Sequence, residues 1–278
     1  GDSFTYGQGV RTDEAWPRVL ARLLDEAMRG AAPAVRPLAE PGRSSSVALA
    51  EVAKALAAGD ARLVLVLAGW NANDGDFAAH AATRKQAVPW DATVDLWLQH
   101  SRLYRVAKQA LTLRSRTLVL DDVEIVPQTT AMTLYDFRAY QEIGLANLRA
   151  IARRCRAARV PCAFLTYPHQ PLPPNPYTPI EYYHALFGRT PIGEGDYLLR
   201  DRRPGEIAID AIIRHVAESE GLPLIDLQPA FEGPGQRELF LADWHHPTAA
   251  GHTRIARIVF DAIRGGLVPA AATAAAAR

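Results

Sequence analysis

The spacing of apolar residues alternates along the chain between a helical period and short apolar runs. Between residues 14 and 28 apolar side chains recur every three or four positions, and Gly30 follows as a stop signal, so the pattern predicts an amphipathic helix. The run at residues 61–68, apolar except for Arg62, is typical of a strand buried in a parallel sheet. The same reasoning predicts further helices at residues 46–58, 135–158, 204–220 and 247–264, and further strands at residues 35–38, 160–166 and 223–226.

The regular alternation of strands and helices predicts an α/β fold, a three-layer α/β/α sandwich around a central parallel sheet. In such sheets ligands bind at the carboxyl ends of the strands. We expect a single domain over residues 1–265 with insertions near residues 75–116 and 167–203, followed by an alanine-rich tail at residues 266–278. The aromatic-rich first insertion favours packing helices, whereas the proline-rich second one is either a binding loop or a structural one.

Charge and apolar content argue against several classes of binding partner. The 278 residues carry a formal net charge of +1 without a basic stripe, which argues against nucleic acid or an anionic membrane surface as a partner. The most apolar stretch, at residues 63–70, is shorter than the roughly 20 residues that span a bilayer, so no transmembrane segment is expected. Cys155 and Cys162 lie in no metal-binding or redox spacing and are expected to be structural thiols.

The first residues contain one candidate nucleophile. A serine in Gly1-Asp2-Ser3-Phe4 at a strand-to-helix turn can present its hydroxyl to a substrate and its backbone N–H to an oxyanion. The tripeptide also occurs in ordinary loops, so alone it indicates little. The sequence opens without Met or an apolar leader, and we expect residues to be missing upstream. The cellular compartment is therefore left unassigned.

A candidate base lies near the other end of the chain. Asp243 precedes His246 by three residues, and Pro247 suits the first position of a helix. An aspartate held against one ring nitrogen leaves the other nitrogen free to face a nucleophile, as acyl transfer requires. His245 is an equal candidate for that position. Taken alone, the segment is better explained as a helix start with two exposed histidines.

Two segments between these ends could donate hydrogen bonds to an oxyanion. Gly42, in Pro41-Gly42-Arg43, follows a predicted strand and lets a backbone N–H approach a ligand closely. Asn71, in Gly69-Trp70-Asn71, follows the strongest predicted strand and carries an amide donor. Each segment is singly explained as a turn at the end of a strand.

In combination, the order Ser, Gly, Asn and Asp-x-x-His resembles the SGNH hydrolases, also called the GDSL esterase/lipase family. The four blocks cover the chain from residue 1 to about residue 264. The resemblance implies the flavodoxin-like α/β/α fold of that family. In the family a central strand leads into the Gly-Asp-Ser turn, so this chain is expected to lack its first strand.

The resemblance also implies roles for individual residues. Ser3 would be the nucleophile, with its N–H as one oxyanion donor, while Gly42 N–H and the Asn71 side chain would supply two more. His246 would be the base and Asp243 would orient it.

The third block departs from the family pattern, which usually reads Gly-x-Asn-Asp. Here Ala72 follows Asn71, and the next Asn-Asp pair is Asn73-Asp74. The two-residue spacing from Gly69 favours Asn71, with Asn73 as the rival donor.

The implied activity is that of a serine esterase, a hydrolase that cleaves acyl or acetyl esters of small molecules, carbohydrates or lipids through an acyl-enzyme. Neither a metal nor an organic cofactor is expected. Two alternatives stay open at this point: an O-acyltransferase of the same fold, and a ligand-binding module without catalysis. The sequence indicates neither the natural substrate nor an oligomeric state.

Overall fold

A computed structural model describes residues 1–71, 101, 103, 118–120, 123–125, 134–168, 209–232, 235–241 and 246–266. Almost all of the first predicted insertion, the second from residue 169 onward and the alanine-rich tail from residue 267 lie outside this range. So do Asn73, Asp243 and His245. The predicted domain bounds therefore stay predictions.

The helices of the described residues include those that the apolar period predicts. They are α1 (Ser3–Tyr6), α2 (Trp16–Ala27), α3 (Ser45–Ala57), α4 (Leu134–Ala158), α5 (residues 209–219) and α6 (Ala249–Arg264). Short 3-10 turns cover Thr12–Glu14, Gln228–Phe231 and Gln236–Leu239. The five predicted helices correspond to α2 to α6, and the start predicted for α5 lies outside the described residues.

The strands of the described residues form two sheets. They are β1 (Val64–Val66), β2 (Leu118–Leu120), β3 (Val123–Ile125), β4 (Cys162–Leu165) and β5 (Leu224–Ile225). The first sheet is parallel, in the order β1-β4-β5, with Leu65 opposite Ala163 and Phe164 opposite Leu224. This parallel sheet, combined with its helices, confirms the predicted α/β fold class.

Two local features differ from the sequence prediction. The run at residues 35–38 forms no strand, and it contains Pro37, which has no N–H to donate to a ladder. The prediction of a strand there is wrong. Conversely, β2 and β3 pair antiparallel in a hairpin that the sequence analysis did not predict.

The core lies between the parallel sheet and its helices. All four residues of β4 are buried, and α5 contributes four fully buried residues at helical spacing: Ile209, Ile212, Ile213 and Val216. Helix α2 packs against α6, and α3 packs against α4. Cys155 and Cys162 are buried free thiols in this core, as predicted. None of the described helices combines the length and apolarity needed to cross a bilayer.

Candidate active site

Ser3 lies at the first position of the short helix α1. Asp2 caps this helix, since its Oδ1 accepts the N–H of Phe4 at 3.1 Å. The helix ends at Gly7, which has a φ of 87° and donates its N–H to the Ser3 carbonyl at 3.0 Å. The N–H groups in the first turn of a helix have no carbonyl of a preceding turn to bind. The Ser3 N–H therefore makes no hydrogen bond within α1.

His246 reaches Ser3 from the segment before α6. Its Nε2 lies 2.9 Å from the Ser3 Oγ, and both side chains are buried. The backbone of His246 is fixed on either side, because its carbonyl accepts the Leu241 N–H at 2.8 Å and Pro247 bridges to Phe240. The distance is that of a nucleophile and its general base. Asp243 and His245, the other predicted members of this block, lie outside the described residues.

Gly42 occupies a turn whose geometry requires glycine. The Arg43 N–H donates to the Glu40 carbonyl at 3.3 Å, and Gly42 has a φ of 74° behind Pro41, the residue pattern of a type II turn. A Cβ added at Gly42 would meet nothing within 4 Å, so the left-handed φ, not crowding, selects the residue type. The Arg43 guanidinium pairs with Glu40 at 2.8 Å and braces this turn.

Asn71 follows β1 and is joined to the Gly42 turn. Its Nδ2 donates to the Arg43 carbonyl at 3.3 Å, and its backbone forms a parallel bridge with Ser44. An amide nitrogen carries two hydrogens, so a second donor remains for a ligand. The structure thus brings together the second and third predicted blocks, just as it brings together Ser3 and His246. Asn73, the rival donor, lies outside the described residues.

A sequence model of the GDSL-like Lipase/Acylhydrolase family matches residues 1–254. The chain belongs to this family. The resemblance drawn from the four blocks is confirmed, and the protein is an ester-hydrolysing serine hydrolase. Among proteins of curated function, no significant sequence match was found.

The fold of this GDSL-like hydrolase matches solved structures along nearly its whole length. The lipase/acylhydrolase from Enterococcus faecalis has 16% sequence identity and a TM-score of 0.53, with 97% of this chain and 95% of that one covered. TesA has 16% identity and a TM-score of 0.51 over 95% and 96%. A variant of Axe2, an acetyl xylan esterase from Geobacillus stearothermophilus, has 14% identity and a TM-score of 0.51 over 95% and 91%. At these identities the likeness establishes the shared fold.

Tyr167 is a buried residue of this GDSL-like hydrolase whose place beside the site the sequence analysis missed. Its hydroxyl donates to Asp2 Oδ2 at 2.6 Å, although the sequence placed it in a long loop. Tyr167 comes two residues after the end of β4, at the edge where parallel sheets assemble their sites, and this position was the available signal.

His252 is a second buried polar residue whose contact the sequence did not reveal. It lies on α6, and its Nδ1 accepts the Trp16 N–H at 3.3 Å. Burial lowers the pKa of His252 to about 4, with a smaller contribution from His246, so its ring is neutral at pH 7. Residues 252, 255, 256 and 259 share the buried face of α6, and that helical spacing was the sequence signal.

The described residues contain no cluster of three or more histidine, cysteine, aspartate or glutamate side chains that could hold a metal ion. The contacts that the structure shows are those of the Ser3 hydroxyl with the His246 imidazole and of the Asn71 amide with the Arg43 carbonyl. These groups are suited to proton transfer and to binding an oxyanion.

Proposed function

We propose that this GDSL-like hydrolase is a serine esterase in which Ser3 is the nucleophile, His246 the general base and Asp243 the residue that orients the imidazole. The contact between Ser3 Oγ and His246 Nε2, at 2.9 Å in a buried setting, carries the proposal. The proposed substrates are acyl or acetyl esters of small molecules, carbohydrates or lipids.

In the first half-reaction His246 Nε2 takes the proton of the Ser3 hydroxyl while the Ser3 oxygen attacks the ester carbonyl. This step requires the imidazole proton to lie on Nδ1, where a carboxylate from Asp243 would hold it. The tetrahedral intermediate then expels the alcohol, which receives its proton from His246. In the second half-reaction His246 takes a proton from water as the water oxygen attacks the acyl-enzyme carbonyl. The second tetrahedral intermediate then expels the Ser3 oxygen, which receives that proton from His246, and the acid leaves.

Three donors would bind the negative oxygen of the intermediate. They are the backbone N–H groups of Ser3 and Gly42 and the Nδ2 of Asn71. Two observations support this assignment: the Ser3 amide lies at the start of α1, and Asn71 contacts the carbonyl of Arg43, the residue after Gly42. Donors of this kind act when a water-poor site holds them in place before the charge develops.

The experiment is hydrolysis of p-nitrophenyl esters of increasing acyl length by the wild type and by Ser3→Ala. We expect activity to be lost in Ser3→Ala because the covalent route needs the hydroxyl. Ser219→Ala is the matched control, since Ser219 lies on α5 with its hydroxyl near the Val216 carbonyl, at 3.4 Å. A fluorophosphonate probe should label the wild type and Ser219→Ala but not Ser3→Ala.

Undiminished ester hydrolysis by Ser3→Ala would refute the assignment of the nucleophile. The acyl-length profile tests the substrate class separately. A preference for acetate indicates an acetylesterase, whereas a preference for long chains indicates a lipase.

A further inference from the structure

Tyr167 lies between two backbone segments that carry site residues. Its hydroxyl donates to Asp2 Oδ2 at 2.6 Å, and the Trp70 N–H approaches the same hydroxyl oxygen at 3.4 Å. Asp2 directly precedes Ser3, and Trp70 directly precedes Asn71. One buried hydroxyl therefore joins the residue before the nucleophile to the residue before the amide donor.

The Asp2 side chain connects Tyr167 to the turn that contains Ser3. Its side chain is fully buried, and a buried carboxylate is stable only when hydrogen-bond donors surround it. One oxygen binds the Phe4 N–H at 3.1 Å and the other binds the Tyr167 hydroxyl. The carboxylate thus fixes the first turn of α1 and with it the direction of the Ser3 hydroxyl.

The ring of Tyr167 contacts the same turn through Phe4. The two rings meet edge to face, with centroids 5.0 Å apart and an interplanar angle of 84°. The Phe4 ring in turn lies 5.4 Å from the His246 ring. Phenylalanine at position 167 would preserve this ring contact and remove the hydroxyl alone.

The backbone of Tyr167 is held by a further buried contact. Its backbone N–H donates to Asp210 Oδ1 at 2.8 Å, and Asp210 is buried on α5. The Tyr167 side chain is fully buried as well. A side chain held at its backbone and along its ring directs its hydroxyl to one place.

We propose that Tyr167 is a positioning residue for ester hydrolysis, which orients the Ser3 turn through Asp2 and ties that turn to the Asn71 segment through Trp70. This inference rests on the proposed roles of Ser3 and Asn71. Tyr167 acts through Asp2 and not on the substrate, so its loss lowers kcat and leaves KM unchanged. Because a displacement of about 1 Å in a catalytic group can cost about 100-fold in rate, we expect kcat to fall by about 10-fold to 100-fold.

The test is Tyr167→Phe, with kcat and KM measured on the best p-nitrophenyl ester. Thr166→Val is the matched control, because Thr166 is the preceding buried residue and its hydroxyl donates to Asp226 Oδ1, at 2.8 Å, which is not one of the proposed site residues. We expect Thr166→Val to lower the thermal midpoint and keep kcat. An equal kcat in the two variants, within twofold of the wild type, would overturn the inference.

A double-mutant cycle with Asp2→Asn tests whether Tyr167 acts through Asp2. We expect the kcat losses of Tyr167→Phe and Asp2→Asn to be strongly non-multiplicative, with the double variant close to the worse single variant. Losses that multiply would show that Tyr167 acts by another route and would overturn the proposal.

The variants Asp2→Asn and Ser3→Ala distinguish a failure of the positioning role from a failure to fold or of the proposed function. If Tyr167→Phe does not fold, Asp2→Asn alone carries the test, with the same loss of kcat at unchanged KM expected and a wild-type kcat contradicting it. An inactive Ser3→Ala beside a fully active Tyr167→Phe would reject only the positioning role. An active Ser3→Ala would reject the proposed function instead.

Discussion

His252 holds the start of helix α2 only while its ring is neutral. Its Nδ1 accepts the N–H of Trp16, the first residue of α2, whose early amides have no acceptor within the helix. A proton on Nδ1 would remove that acceptor and place a cation at the positive end of the helix dipole. We predict that His252→Asn, which keeps a hydrogen-bond acceptor but does not titrate, removes a large part of the acid sensitivity of the fold.

The size and sign of the effect follow from the pKa of His252. Burial lowers it from 6.5 to about 4, so below pH 6.5 the unfolded chain takes up a proton that the folded chain excludes. The stabilisation is complete above pH 6.5 and is lost as the pH falls toward 4. At about 1.4 kcal/mol per pH unit the full loss is about 3 kcal/mol. About 1.4 kcal/mol is lost by pH 5.5 and about 2.5 kcal/mol by pH 4.5.

The assay is urea unfolding of the wild type and His252→Asn at pH 7.5, 5.5 and 4.5. Carboxylates also titrate in this range, so the decisive quantity is the difference between the two proteins in how much free energy of unfolding each loses. Thr253→Ala, at the next position of α6, is the control and should follow the wild-type pH dependence. If His252→Asn loses as much stability as the wild type between pH 7.5 and 4.5, the reasoning about His252 is refuted.

Two further predictions concern the segment after β1. Asn71→Ala should lower kcat by about 10² to 10³, the usual cost of one oxyanion donor, whereas Asn73→Ala should stay near the wild type. The reverse ranking in steady-state kinetics would assign the donor to Asn73. Gly69→Ala should destabilise the fold by about 1–3 kcal/mol, because Gly69 has a φ of 124° and a Cβ there would also lie 2.7 Å from Ile209 Cδ1. Combining it with Ile209→Val should recover part of that loss in thermal unfolding, and no recovery would contradict the steric explanation.

The helices and the parallel sheet could be predicted because their signals are local. The apolar run at residues 61–68 contains β1, and the helical spacing around Trp16 gives α2 to within two residues. The strand predicted at residues 35–38 does not form. That prediction rested on apolar content and did not consider that Pro37 has no N–H to donate. The β2–β3 hairpin was missed because three-residue strands give too short a pattern.

The candidate site was predictable in its residue types but not in its contacts. Ser3 and His246 lie 243 positions apart, and only the ordered blocks in between indicated that they meet. The contact between Asp2 and Tyr167 spans 165 positions and belongs to no block. Spacing along the chain carries no information about such a pair, because it depends on the position at which β4 ends beside α1.

The buried polar groups around Ser3 explain why its turn can be rigid without a long helix. Helix α1 has four residues, too few to be stable by its own hydrogen bonds. Its order must come from outside, and the structure supplies it through the Asp2 carboxylate, the Tyr167 hydroxyl and the packing of Phe4 against two rings. We therefore expect a change that weakens one of these contacts to displace Ser3 as well as to affect the stability of the fold. In these variants the decrease in kcat is therefore expected not to be proportional to the decrease in the free energy of unfolding.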